Sequence, residues 1–284
     1  MGITWIIDQR FIGKTLRSFL AFHHLGKAMT HRLFQERRMT VNDHVILHDH
    51  IFKENDTLHI DFENDVMVDS DHHPIDIVYE DQDLLILNKP QGLLVHDDGV
   101  SDTSLSKRVN GYREVIKYPY RILPAHRIDK ETTGLIVFAK HPLSLSYLSH
   151  LFESQTLEKI YYCEVKGHLK DEKGLIDLPI ANDRHSNKMR VDPKGKDAKT
   201  YYEVIEKKKE TTLLKVRIYG GRTHQIRVHF SYKGFPVVGD SLYDRPGLNP
   251  LKLHFSTLRM VHPRTGEMLE ISTQPPFINA STHQ

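Results

Sequence analysis

Between Leu123 and Lys140 the chain reads LPAHRIDKETTGLIVFAK, and one carboxylate in it, Asp129, is placed to do chemistry. His126 and Arg127 precede it and Lys130 follows. Thr132, Thr133 and Gly134 then turn the chain into Leu135 to Ala139, a short apolar run rich in β-branched and aromatic residues that predicts a buried strand. A charge-dense turn abutting a core strand can hold a side chain rigidly while presenting it to a cleft. The same residues also suit a plain capped turn, with Asp129 accepting hydrogen bonds from nearby amides and nothing more.

The elements that must position this turn can be laid out in order. Residues 14 to 25, KTLRSFLAFHHL, put Leu16, Phe19, Leu20 and His23 on one helical face, with Gly26 as the expected stop and Thr30 as the expected cap of a second helix, HRLFQERR. Across this pair Arg10, Lys14, Arg17, Lys27, Arg32, Arg37 and Arg38 are opposed only by Asp8 and Glu36. That face suits a phosphate backbone, or is merely a solvated helix pair. Short strands follow in MTVNDHVIL and DTLHIDF, and the polar stretch 64 to 74, NDVMVDSDHHP, is the best linker.

Past the linker, two apolar strands flank a turn at Asp81 to Asp83, Lys89, Pro90 and Gly92 make another turn, and Asp102 is expected to cap a short helix. Pro142 opens a helix whose Leu143, Tyr147, Leu148, Leu151 and Phe152 form a core stripe. KIYYCEVKG alternates as a strand with Tyr161, Cys163 and Val165 on one face, where an aromatic is ordinarily a core residue. Residues 181 to 200 are polar and rich in Lys and Arg, either a mobile surface connection or a flap that contacts a polyanionic partner. A hairpin at Tyr201–Ile205 and Leu213–Tyr219 then breaks at Gly220-Gly221. Thr223 can cap a helix through HQIRVHFSYK, and strands at 251 to 256 and 267 to 271 close the domain.

Composition narrows the classes. A chain of 284 residues with a formal net charge of +2 divides most naturally into one small and one large domain, and any polyanion footprint must come from clustered charge. Its single cysteine, Cys163, forms no internal disulfide and fits a reducing compartment. No apolar stretch reaches membrane-spanning length and no secretion leader is evident, so a cytoplasmic protein is expected. The His pairs at 23–24 and 72–73 lack the spacing of a metal site, and no GxGxxG or GxxxxGK[ST] loop is present. Neither a metal nor a nucleotide cofactor is therefore expected.

HRIDKETTG resembles the HRLDxxTSG signature of the RluA-type pseudouridine synthases, with Ile128 where Leu is usual and Thr133 where Ser is usual. NKPQGLLVH at 88 to 96 and GRTHQIRVHFSYKGFPVVGD at 221 to 240 fit the same family, and with KIYYCEVKG the resemblance covers roughly residues 75 to 275. It implies an α+β protein: a catalytic domain at 75–277, built on a mixed, largely antiparallel sheet with flanking helices, and a flexible tail at 278–284. The basic helix pair and strands of residues 1–63 resemble the small α+β S4 RNA-binding module, although Lys14, Thr15 and Leu16 replace its usual Arg-Leu-Asp opening.

The implied reaction breaks the bond between ribose C1′ and uracil N1, rotates the base, and joins C1′ to C5, without cofactor or metal. By the resemblance Asp129 is the reacting carboxylate, attacking or assisting. Arg222, just before a predicted helix start, is its ion-pair partner. Tyr161 stacks on the uracil and accepts the C5 proton, Arg127 fills the space left by the extruded base, and His126 orients the turn. Lys89, with Asn88 and His96, braces the cleft or contacts RNA, as His126 could, and Arg17, Arg32, Arg37 and Arg38 bind RNA. The expected partner is ribosomal or transfer RNA, with no membrane, for a monomer. The rival readings are a glycosidase using Asp129 with Glu131, which would release free base, a non-catalytic RNA-binding or ribosome-assembly protein, and a protein-interaction scaffold.

Overall fold

The computed structural model describes residues 2–63, 69–184, 186, 188–245, 247 and 249–278. Its elements in chain order are β1 (Ile3–Ile6), α1 (Leu16–Phe22), α2 (Lys27–Gln35), β2 (Met39–Val41), β3 (His44–Val45), β4 (Thr57–Ile60), β5 (Ile77–Glu80), β6 (Leu84–Lys89), α3 (Leu105–Val115), β7 (Leu123–Pro124) and β8 (Thr133–Ala139). They continue as α4 (Pro142–Ser154), β9 (Glu158–Lys166), β10 (Lys173–Asp177), β11 (Ile180–Asn182), β12 (Met189–Val191), β13 (Lys199–Lys207), β14 (Thr211–Tyr219), α5 (Gln225–Tyr232), β15 (Leu253–Val261) and β16 (Met268–Ser272).

The N-terminal elements form a four-stranded antiparallel sheet, β1-β4-β2-β3, under α1 and α2. Trp5, Phe11, Leu16, Phe19, Leu20, Met39 and Phe52 are buried between them. Strand β1, too short to stand out in the sequence, pairs with β4 and completes the sheet. Asn42 and Asp43, both at positive φ, make the tight turn that joins β2 to β3. Thr15 caps α1 by accepting the Ser18 N–H, and two expectations fail: Gly26 begins α2 rather than stopping α1, which leaves Thr30 inside the helix rather than at its cap. The basic face is also less bare than its local sequence suggests. Glu63 folds back onto Arg32 and Arg38, which pair with Glu36 as well.

The large sheet has ten strands, the path β10-β13-β14-β9-β15-β8-β6-β5 with β16 on β15 and β7 on β8. It is antiparallel except where β15 runs parallel to β8. Strand β8, TGLIVFA, is buried along its whole length, as its apolar run predicts. Gly134 lets it cross close to β15, since a Cβ there would lie 2.3 Å from the Phe255 carbonyl oxygen and its φ is +110°. Helix α4 begins at Pro142 as expected, capped by His141, whereas α3 is capped by Ser104 rather than Asp102. Residues 181 to 200 contain the small hairpin β11–β12 rather than a bare loop, and α5 starts at Gln225 without a Thr223 cap.

Of the expected linker, residues 64–68 lie outside the described residues. The remainder is strapped down: Asp71 accepts from the Thr103 hydroxyl and the His73 amide, and the Asp69 carbonyl from Asn110. All of the expected tail except residue 278 also lies outside.

One buried carboxylate, Asp83, anchors the contact between the units through Arg264. Asp83 is fully buried and holds His141 at 2.7 Å and the Arg264 guanidinium. Arg264 also donates to the Thr4 carbonyl at 2.9 Å and lies 4.0 Å over the Trp5 ring. Asp81 accepts from His262 and Tyr79, 2.7 and 2.8 Å away. Asp81, Asp83 and His262 are the one group among the described residues close enough to suggest a cation site. Both Asp83 oxygens are already occupied by Arg264, so the cluster is an ion-pair latch.

Candidate active site

The Asp129 turn is fixed from below. Lys89, at the end of β6, is fully buried and its Nζ donates to three backbone carbonyls, Pro90 at 2.9 Å and Leu93 and Lys130 at 2.8 Å. Burial lowers its pKa to about 8. The His126 ring stacks on Phe152 with centroids 4.2 Å apart, and its Nε2 accepts the Val137 amide at 3.1 Å, which marks it as neutral and lodged in the fold. The Thr132 amide donates to the Asp129 carbonyl at 3.1 Å and closes the turn.

From the other side comes α5. His224 precedes it at a φ of +56°, and Gln225 pins the Gly220-Gly221 turn by accepting the amides of Gly221 and Arg222 at 3.1 and 3.0 Å. One turn into the helix, Arg227 reaches two carboxylates. Its Nε and Nη2 each donate to Asp240 at 2.8 Å, and Nη1 donates to Asp129 Oδ2 at 3.1 Å. Asp240 is wholly buried and Arg227 nearly so, whereas Asp129 keeps 22% of its side chain exposed. Burial alone would raise the Asp240 carboxyl, but the Arg227 hydrogen bonds and charge outweigh it and hold Asp240 below its ordinary value. Burial likewise works against the Arg227 charge, and its two carboxylates more than offset that, raising its pKa.

A second arm reaches Asp129 from His224, whose Nε2 lies 3.8 Å from Oδ1 and whose Nδ1 is 2.8 Å from the Tyr243 hydroxyl. That hydroxyl also accepts the Met189 amide of β12 at 2.8 Å, and the Tyr243 ring lies under the Arg227 guanidinium at 5.3 Å. Burial lowers the His224 pKa, opposed by the charge of Asp129.

These groups open onto a cavity of about 180 Å³ whose wall includes Arg127, Asp129, Thr132, Tyr161, Arg222 and Arg227. Tyr161, on β9, stacks on Phe255 at 4.6 Å with planes 12° apart, and burial, then the charge of Asp129, raises its phenol. A carboxylate oriented by a buried guanidinium, beside a neutral phenol and a flat ring, suits attack on an electron-poor carbon of a planar base or its sugar.

A family profile described as RNA pseudouridylate synthase matches residues 83–232, which includes every one of these groups except Asp240, Tyr243 and Phe255. The chain belongs to the RNA pseudouridylate synthase family. It is 33% identical over 286 residues to the uncharacterized RNA pseudouridine synthase YhcT of Bacillus subtilis strain 168, covering 97% of this chain and 94% of that protein. It is 39% identical over 218 residues to ribosomal large subunit pseudouridine synthase D of Yersinia pestis, covering 69% and 66%. Among solved structures, human RNA pseudouridylate synthase domain containing 1 superposes with a TM-score of 0.62 at 25% identity, covering 75% of this chain and 88% of that one. The chain is thus an RluA-type RNA pseudouridine synthase, an isomerase acting on RNA, with the expected α+β fold.

Within this pseudouridine synthase the sequence-derived residues fall into three groups. Asp129, Tyr161, Arg127 and Arg222 share the cavity. The pairing assigned to Arg222 belongs instead to Arg227: the Arg222 Nε donates to the Asp197 carbonyl at 3.0 Å, and the helix begins later than expected, so the inward-facing arginine is the one a turn further on. Lys89 is a clamp beneath the Asp129 turn rather than an RNA contact, because its ammonium is sealed among carbonyls, and His126 is likewise engaged within the fold. Arg17, Arg32, Arg37 and Arg38 lie on the N-terminal unit. Glu131 does not line the cavity, which removes the partner a glycosidase reading needs. Sequence reasoning missed Arg227, His224, Asp240 and Tyr243. The available signal was a lone arginine inside IRVHF, since a charge in an otherwise apolar helical run calls for a buried counter-ion.

Proposed function

We propose that Asp129 is the carboxylate that attacks or assists at the target uridine, that Arg227 fixes its orientation, and that Tyr161 provides the surface on which the loosened base turns. The observation that carries this reading is the 3.1 Å Arg227–Asp129 pair at the wall of the cavity shared with Tyr161. The raised phenol keeps its proton in the resting enzyme. Tyr161 therefore takes up the C5 proton while passing its own to the departing Asp129 carboxylate. A uridine in a stacked strand must be extruded to reach the cavity, and Arg127, exposed at its edge, occupies the gap left behind.

The substrate reading is a uridine of large-subunit ribosomal RNA, on the strength of the relatives' names. The N-terminal unit acts as an S4-like module whose Arg17 and Arg37 contact phosphates, in a monomeric cytoplasmic enzyme. Among the described residues no helix is long and apolar enough to cross a membrane.

The test is to map pseudouridines in ribosomal and transfer RNA from cells lacking the protein and from the same cells supplied with the wild-type or Asp129→Asn chain. A large-subunit site lost on deletion and restored only by wild type supports both readings. Restoration by Asp129→Asn overturns the catalytic assignment, and a lost site in transfer RNA moves the substrate. Deleting residues 1 to 70 is expected to raise KM for RNA and flatten its salt dependence, and an unchanged salt slope would show that the basic helices are idle.

A further inference from the structure

Lys159 is a cation with no visible reason to be where it is. It sits on β9 two residues before Tyr161, hence on the same face of the strand, and only 6% of it is exposed. Among the described residues no carboxylate pairs with its Nζ and no acceptor bonds it, in contrast to Lys89, whose ammonium is fully coordinated by carbonyls. Its surroundings make the burial harder. Burial and the nearby Arg222 guanidinium both lower its pKa, and among the described residues the Arg222 guanidinium makes one hydrogen bond, to the Asp197 carbonyl, and no ion pair.

The backbone keeps room for this ammonium beside the cavity. Gly221 lines the cavity at a φ of +72°, and a Cβ there would come within 3.2 Å of Lys159 Nζ. The Lys159 ammonium thus lies just behind Gly221, which lines the cavity together with Arg222. Two like charges held together without an acid cost stability, and such a cost persists where a ligand supplies the missing charge.

We propose that Lys159 and Arg222 form a binding site for one phosphodiester of the RNA strand, next to the nucleotide in the Asp129 cavity. This rests on the reading that the cavity receives the target uridine. The phosphate oxygens would supply an acceptor for the Lys159 ammonium and a counter-charge for both side chains, and would anchor the backbone at the pocket edge while Arg127 acts from the stack.

The experiment measures binding of hexauridylate to the full chain across a potassium chloride series, for wild type, Lys159→Met, Arg222→Gln and Asp129→Asn, with thermal unfolding of each. Lys159→Met is expected to weaken binding roughly five- to tenfold at low salt and to reduce the slope of log affinity against log salt by about 0.7, the value of one single-strand phosphate contact. Arg222→Gln should lower the slope similarly. The unfolding midpoint of Lys159→Met should stay level or rise, because an uncompensated charge has been removed. An unchanged slope in Lys159→Met overturns the proposal, whatever its midpoint. Asp129→Asn should keep the wild-type slope. If that variant still converts uridine, the catalytic reading fails while the slope result stands on its own.

Discussion

Two arginines in this molecule do the same thing in opposite surroundings. Arg227 lies between Asp240 and Asp129, and Arg38 lies between Glu36 and Glu63. The first is 7% exposed with one partner wholly buried, while the second is 27% exposed with partners at 39% and 52%. In the interior, removing one member strands a charge that water cannot reach. On the surface, water and salt stand in for any lost partner. Burial, rather than the number of ion pairs, therefore separates a geometry that chemistry can depend on from one that RNA can rearrange.

The largest effect expected from this contrast is on turnover. Asp129→Asn should reduce it on the order of 10⁴-fold, by analogy with removal of a reacting group elsewhere, with RNA affinity little changed. Single-turnover assays beside a binding titration check the split, and measurable conversion by the variant would break the comparison at its buried end. Asp240→Ala should come next. It leaves Arg227 buried with one carboxylate, which costs about 3–5 kcal/mol, and turnover should fall because the guanidinium is no longer aimed. Thermal unfolding and kinetics on the same sample measure both.

A pH experiment probes whether each unit keeps a dry interior. Burial holds His23 in the N-terminal unit down at about 4 and His126 in the catalytic unit down at about 3, from an ordinary 6.5. Both are neutral in the native state, so below pH 6.5 the unfolded chain gains protons that the folded chain refuses. Their stabilising contribution is thus complete above 6.5 and is lost as pH falls toward about 4 for His23 and 3 for His126. Each unit of depression is worth about 1.4 kcal/mol. Unfolding midpoints from pH 7 to 4 should fall less steeply in His23→Gln than in wild type; identical curves would mean that His23 is not held neutral. The smallest effect belongs to Arg38→Ala. Its stability should change by less than about 1 kcal/mol, and a loss several times larger would show that the surface pair is as fixed as the buried one.

Much of this was legible in the residues. The apolar run after Gly134 reads as a buried strand and Pro142 as a helix opening, whereas the Asp129 turn suits a cleft or a plain capped turn until the family-like blocks around it favour the cleft. The partner of Asp129 was not legible, because choosing between Arg222 and Arg227 depends on where α5 starts, and His224 at positive φ delays that start. Strand β1 and the fold-back of Glu63 escaped notice for a related reason. Both are fixed by contacts distant in sequence, Ile3 with Ile60 and Arg32 with Glu63, which local pattern does not encode. Lys89 reads as either a brace of the cleft or an RNA contact, and only three converging carbonyls, which no local pattern encodes, make it the brace.

Arg264 has a further bearing on how a uridine is chosen. With one face against Trp5, one nitrogen on the Thr4 carbonyl and the rest on Asp83, it fastens the small unit to the edge of the large sheet through groups that water hardly reaches. On the RNA-binding role proposed for the small unit, the two units would act as a caliper of fixed opening, and loosening Arg264 should widen the range of sites modified rather than slow the chemistry.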